Sequence, residues 1–276
     1  MSHMSQLKSS LVDLKPTWGL DTIFAIFLIV CATTSAHCAP DPINVAEASA
    51  GLAFSESEVG DHSVDLRKRF LAKIELKQEE GCLAQCRKIA RVWERLLPVI
   101  QAQQPKALAR PRLEIVNSKD VDALSFAEGT IILSEEYVSR LELDNEQIAF
   151  VLAHEVSHIL LQHERQTLTS AMALMPSRIV RSASDVHTEM EEQYFSLDTY
   201  FSLIAHQTEF EADEVGFELA ALAGFDPRKQ LEFMQKLARN SVAQSMMSTH
   251  PEASQRLDRL RDLLPLASRL YEGGGP

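Results

Sequence analysis

The segment His154-Glu155-Val156-Ser157-His158 holds the residues of this chain best placed to do chemistry. Two imidazoles four residues apart project from one face of an α-helix, where they can share a metal ion. The glutamate between them lies about 100° around the helix from the first histidine, close enough to take a proton from a water held on that ion. Catalytic zinc usually has three protein ligands and one position left for solvent. A third donor must therefore come from elsewhere in the chain. Position 164 is a glutamate and position 161 a leucine, which removes the pattern in which a third histidine follows six residues after the second. Downstream carboxylates remain. Glu209 is favoured because Asp213 follows it by four residues, on the same helical face, where it can orient a ligating imidazole. Glu189, Glu191 and Glu192 stay open as alternatives within a charged, solvated run.

These residues need a scaffold. Asp144 stands three residues before Gln147, a capping-box spacing that predicts a helix over residues 145–162 carrying the motif. Ile148, Ala149, Leu152, Ala153, Val156, Ile159 and Leu160 fall on the side away from the motif and predict a buried face. Upstream, residues 64–76 and 82–100 carry apolar side chains at helical spacing, broken at Gly81, and residues 113–116 and 130–133 read as short strands. Residues 177–193 are strongly polar and predict a loop or lid. Helices are expected over residues 207–222, from Pro227 to about 237, and from beyond Pro251 to about 264. The order of elements indicates an α+β domain, mainly helical, with a small β-sheet beside the active-site helix. His163 reads as a polar surface residue, since five residues beyond His158 a continuing helix would turn it elsewhere; His187 and His206 have no supporting neighbours.

A formal net charge of −12 argues against nucleic acid as a partner, because acidic surface repels phosphate. Residues 1–39 read as a tag remnant, Met1-Ser2-His3-Met4, plus a signal peptide: lysines, an apolar run over 23–31, then small residues up to Ala39. Residues 40–60 read as a linker and 61–276 as the enzymatic domain, with its core at about 105–264. Export would place the protein in the periplasm or cell envelope; lipid attachment at Cys31 or Cys38, or another membrane association, is the less favoured arrangement. Cys82 and Cys86 could be bridged in that compartment or could be two small apolar residues on a helix.

Three segments, Val151-Leu152-Ala153-His154-Glu155-Val156-Ser157-His158, Glu209-Phe210-Glu211-Ala212-Asp213 with Gly216, and Ser248-Thr249-His250-Pro251 with Arg256, resemble the HtpX-like zinc metallopeptidase family. That family includes the CAAX prenyl endopeptidases and the periplasmic BepA-like and LoiP-like proteases. The resemblance covers residues 113–264. It implies a zincin-type metallopeptidase domain with one Zn2+ held by His154, His158 and Glu209 and supported by Asp213, with Glu155 as the base. His250 and Arg256 would approach from a C-terminal segment, either to stabilise the developing oxyanion or, for His250, to occupy the open metal position until substrate displaces it. Asp122-Ala123-Leu124-Ser125-Phe126 resembles the family's segment beside the substrate cleft, although Asp122 replaces the usual Asn and Glu128 stands where Gly is common. The insert after the metal helix is too polar for the membrane hairpins of some members, which favours the soluble periplasmic branch. The expected function is a zinc metalloendopeptidase acting on unfolded or misassembled envelope proteins, with a zinc-containing chaperone or binding module as the rival.

Overall fold

The computed structural model describes residues 51–75, 85–103, 110–175, 177, 179–239 and 253–273. The expected signal peptide, most of the linker, Cys82 and His250 lie outside them. The elements are α1 (Glu56–Glu75), α2 (Cys86–Gln103), β1 (Arg112–Val116), β2 (Ala123–Ser125), β3 (Thr130–Ser134), α3 (Glu135–Arg140), α4 (Asn145–Leu160), α5 (His163–Leu174), α6 (Ala183–Leu222), α7 (Pro227–Arg239) and α8 (Ala253–Gly273). This is the mainly helical α+β architecture that the sequence indicates. α1 begins at Glu56, where Ser55 Oγ accepts the Glu58 N–H at 3.1 Å, so the last residues of the expected linker are already helical.

The sheet is small and mixed, in the order β1-β3-β2, with β1 parallel and β2 antiparallel to β3. β3 is buried along its whole length, as a central strand covered on both faces should be. A tight turn links β2 to β3: Gly129 takes φ 101°, a left-handed conformation open to glycine, and its N–H donates to the Phe126 carbonyl at 2.8 Å. The turn leaves β2 on the sheet's edge.

α4 runs through the centre of the molecule. Its capping box is formed as expected, with the Gln147 N–H donating to Asp144 Oδ1 at 2.9 Å. The seven residues expected on its buried face are all buried. Phe150 on α4 meets Phe217 on α6 and Phe233 on α7 edge to face, at 6.2 and 5.9 Å between ring centroids. α4 stops at Leu160, two residues earlier than expected, and Gln162 adopts φ 57° and turns the chain sharply into α5.

Residues 183–193, expected in a polar loop, instead form the first turns of the 40-residue helix α6. The polar side chains there cap and anchor the helix. Ser182 and Asp185 make a second capping box, Arg181 donates to the Met175 carbonyl at 2.6 Å and pairs with Glu189, and Ala183 and Val186 pack against Phe54 and Leu168. α8 also runs past the expected end at 264, continuing to Gly273.

α6 crosses α4 at Gly216. A Cβ built there would lie 2.7 Å from the His154 backbone nitrogen and 2.9 Å from its Cα. Only a hydrogen fits, and the backbones touch. A Gly216→Ala protein is expected to lose about 1–3 kcal/mol of stability and to hold metal less well, because α6 must move away from His154; urea unfolding at the parent's midpoint would contradict this close-contact account.

Candidate metal centre

The α4–α6 crossing fixes which side chains meet. Glu209, Asp213 and Gly216 follow one another at helical spacing on α6, so the face that touches His154 through Gly216 also presents both carboxylates to the motif. The His154 and His158 Nε2 atoms are 3.1 Å apart, His154 Nε2 lies 3.4 Å from Glu209 Oε2, and His158 Nε2 lies 3.3 Å from Glu209 Oε1. Among the described residues these three form the one group of His, Cys, Asp and Glu side chains that could hold a metal ion. Ligand bonds of about 2.0–2.1 Å in a tetrahedral site put neighbouring donors about 3.3–3.4 Å apart. Each nitrogen lies about one such edge from the other nitrogen and from one Glu209 oxygen, and one donor atom from each of the three residues lies within 4.8 Å of the others, so the donor set fits a small divalent cation. Glu189, by contrast, is paired with Arg181.

Each imidazole is held from behind. Nε2 can offer a lone pair only if the ring proton sits on Nδ1, and that proton needs an acceptor. Behind His154 stands Asp213, whose Oδ1 lies 2.9 Å from Nδ1 as a close charge contact. Arg256 in turn donates through Nε and Nη2 to Asp213 at 2.6 and 2.7 Å, and its Nη1 lies 3.5 Å from Glu209 Oε2. Arg256 is 3 % exposed. It therefore belongs to a buried ion network, where its charge offsets two carboxylates. Burial works against the Asp213 carboxylate, but Arg256 and His154 outweigh it and hold its pKa below the usual range.

For His158 the acceptor is a residue that helical periodicity places wrongly. His163 is 3 % exposed, and its Nδ1 lies 2.9 Å from His158 Nδ1. The left-handed turn at Gln162 folds α5 back so that His163 faces the motif. Burial is the main influence on His163 and lowers its pKa to about 4, so the ring is neutral at pH 7 and can accept the His158 proton. Its other nitrogen faces Glu211 Oε2 at 3.3 Å, and Glu211 Oε1 accepts from Gln207 at 2.5 Å. The short Glu-Phe-Glu spacing at 209–211, which puts a second acid two residues from Glu209, was the available sequence signal.

Glu155 is half-buried, and the Ser125 hydroxyl at the end of β2 donates to its Oε2 at 2.9 Å. Two cavities adjoin the motif. A cavity of about 350 Å³ lies against His158, and another of about 220 Å³ is lined by His154, Glu155, Tyr137 and Arg256. Asp122 pairs with Arg140, and Glu128 receives Arg67 at 2.7 Å and Arg112 at 2.5 Å, so the two residues that depart from the family pattern act as ion-pair anchors at the cleft's edge. His187 packs edge to face on His62 at 4.9 Å and lines the larger cavity, in contrast to the expectation that it has no neighbours of note.

Burial pushes His154 toward its neutral form, yet Glu209 and Asp213 outweigh it and lift its pKa to about 10 when no metal is bound. The sign follows. The charged imidazole stabilises the metal-free fold fully below its ordinary value of 6.5, and that contribution is lost as pH rises through about 10. Zinc uptake at pH 7.5 must displace this proton, so the calorimetric enthalpy should vary with the buffer's ionisation enthalpy in proportion to about one proton released. A buffer-independent enthalpy would contradict it. Separately, His163→Ala should weaken zinc affinity about 10–100-fold in a chelator competition; parental affinity would show that His158 needs no acceptor there.

The Peptidase family M48 model matches residues 84–264, about two-thirds of the chain. The mitochondrial metalloendopeptidase OMA1 of Bos taurus is 26 % identical over 181 residues, covering 58 % of this chain and 34 % of that protein. The beta-barrel assembly-enhancing protease of Yersinia pestis is 27 % identical over 162 residues, covering 54 % and 33 %, and the mitochondrial metalloendopeptidase OMA1 of Saccharomyces cerevisiae 27 % over 139 residues, covering 47 % and 39 %. The aligned region is thus only about a third of the length of these relatives. With the family match spanning the motif helix, the Glu209–Asp213 face of α6 and Arg256 of α8, this chain belongs to peptidase family M48.

Proposed function

We propose that the protein is a zinc-dependent endopeptidase whose metal ligands are His154, His158 and Glu209. One observation carries this reading: a three-donor site has the Glu155 carboxylate on the helix of its two histidines and cavities against both His154 and His158, giving the room that cleavage within a chain requires. Zinc held there would acidify a water and polarise the scissile carbonyl. Glu155 takes the water's proton and passes one to the leaving amine. Ser125 steadies the Glu155 carboxylate through its hydroxyl. The Asp213–Arg256 pair stands behind the His154 ring, and Arg256 keeps the Asp213 carboxylate ionised. β2, on the sheet's edge beside α4, offers backbone groups with which an extended substrate can pair.

A substrate bound mainly through its backbone must be extended, which favours unfolded or misassembled proteins. We extend the reading to quality control in the cell envelope, with export by the N-terminal segment. The similarity to the Yersinia pestis beta-barrel assembly-enhancing protease supports it. Among the described residues no helix is long and apolar enough to cross a membrane.

The rival, a chaperone or binding module with structural zinc, has no use for a base beside an open coordination position. In purified Glu155→Gln protein, zinc content by elemental analysis should match the parent while casein cleavage falls about 100-fold or more. Undiminished cleavage would remove Glu155 from the mechanism, and absence of zinc from the parent would remove the metal.

A further inference from the structure

The larger cavity is walled by a part of the chain that the family match leaves out. α1, residues Glu56–Glu75, precedes the matched segment, which begins at residue 84. Val59 and Leu66 of α1 nevertheless line the cavity beside His158, together with Phe126 of the β2–β3 turn, Ile159 of α4, Leu168 of α5 and Met190 of α6. Its volume of about 350 Å³ falls in the ~300–1,000 Å³ range of sites that enclose small ligands or side chains. The carbon-rich part of the wall rewards burial of an apolar group at about 25 cal/mol per Å².

α1 is a fixed wall. Arg67 donates to Glu128 Oε1 at 2.7 Å and to Glu114 Oε1 at 3.3 Å, tying the helix to the hairpin turn and to β1. Ser63 donates to Glu164 Oε2 at 3.2 Å, and the same oxygen accepts the Ala127 N–H at 3.1 Å, so one half-buried carboxylate clamps α1, α5 and the turn together. Glu58 accepts the Ala183 N–H at the start of α6 at 2.9 Å. Four elements thus pin this helix through polar contacts, while its apolar residues face the cavity and the core beside it.

The cavity also adjoins the reacting centre. His158 lines it, and so does Ser125, whose hydroxyl holds Glu155. A peptide paired along β2 would send alternate side chains to one face, and Ser125 at the end of β2 lines this cavity. We propose that this cavity is the recognition pocket for a large apolar side chain next to the cleaved bond, and that α1 sets its size, chiefly through Leu66. This rests on the endopeptidase reading above and adds a substrate preference to it.

The test uses the zinc-loaded full chain, the Leu66→Trp and Leu66→Ala proteins, and a peptide library whose cleavage sites are read by mass spectrometry. The parent is expected to enrich Leu, Ile, Met or Phe at one position flanking the cut. Leu66→Trp should lower kcat/KM for those peptides about tenfold relative to matched Ala peptides, and Leu66→Ala should shift the preference toward Phe and Trp. Preferences at the other positions should stay as in the parent, which a general loss of stability would not produce. If Leu66→Trp does not fold, the shift in Leu66→Ala decides alone. A parent that cleaves without apolar preference, or a folded variant with the parent's profile, overturns the pocket and leaves the endopeptidase reading standing. A zinc-loaded parent that cleaves nothing overturns both.

Discussion

Two imidazole nitrogens 3.1 Å apart, each within 3.4 Å of a Glu209 oxygen, crowd the lone pairs of three side chains into one small buried space. Lone pairs repel, so such a cluster persists only with positive charge inside it, from a proton or a metal cation. The rest of the structure serves this arrangement. Arg256 offsets the excess negative charge of Glu209 and Asp213, Asp213 and His163 stand against the outward-facing ring nitrogens, and the hydrogen-only contact at Gly216 lets α6 approach near enough for Glu209 to reach the motif. The raised proton affinity of His154 in the metal-free protein is the same electrostatic fact seen from the other side: a place that holds a proton this firmly also attracts a divalent cation.

The two histidines are supported differently. Behind His154 stands a carboxylate neutralised by a buried guanidinium, and behind His158 a neutral imidazole that leans on a half-exposed glutamate. The first arrangement gives rigidity, since breaking a buried ion pair strands a charge. The second is softer and lies next to the larger cavity, which His163 also lines.

Much of this was legible in the sequence, because helical spacing is a local property. The motif's four-residue interval, the Asp144–Gln147 cap and the Glu209–Asp213–Gly216 face each depend only on a helix being present, and both helices, α4 and α6, form. What was not legible depended on where helices stop. Periodicity continued past Gln162 sends His163 to the surface, whereas one left-handed residue reverses the chain and buries it. The polar composition of residues 177–193 suggests a loop, yet capping by Ser182 and anchoring by Arg181 turn that polarity into support for α6. The wall that α1 gives the larger cavity could not be read at all, since it comes from contacts more than sixty residues apart, such as Arg67 with Glu128. Polar residues at element ends carry structural information that average hydropathy hides.

The central claim is that two imidazoles and one carboxylate share a single metal ion and leave room for solvent. X-ray absorption at the zinc edge, recorded on the stoichiometrically loaded protein, tests it most directly. The account predicts two imidazole-type nitrogens and one or two oxygens at about 2.0–2.1 Å, without sulfur. A sulfur ligand, or a shell with only one imidazole, would contradict it.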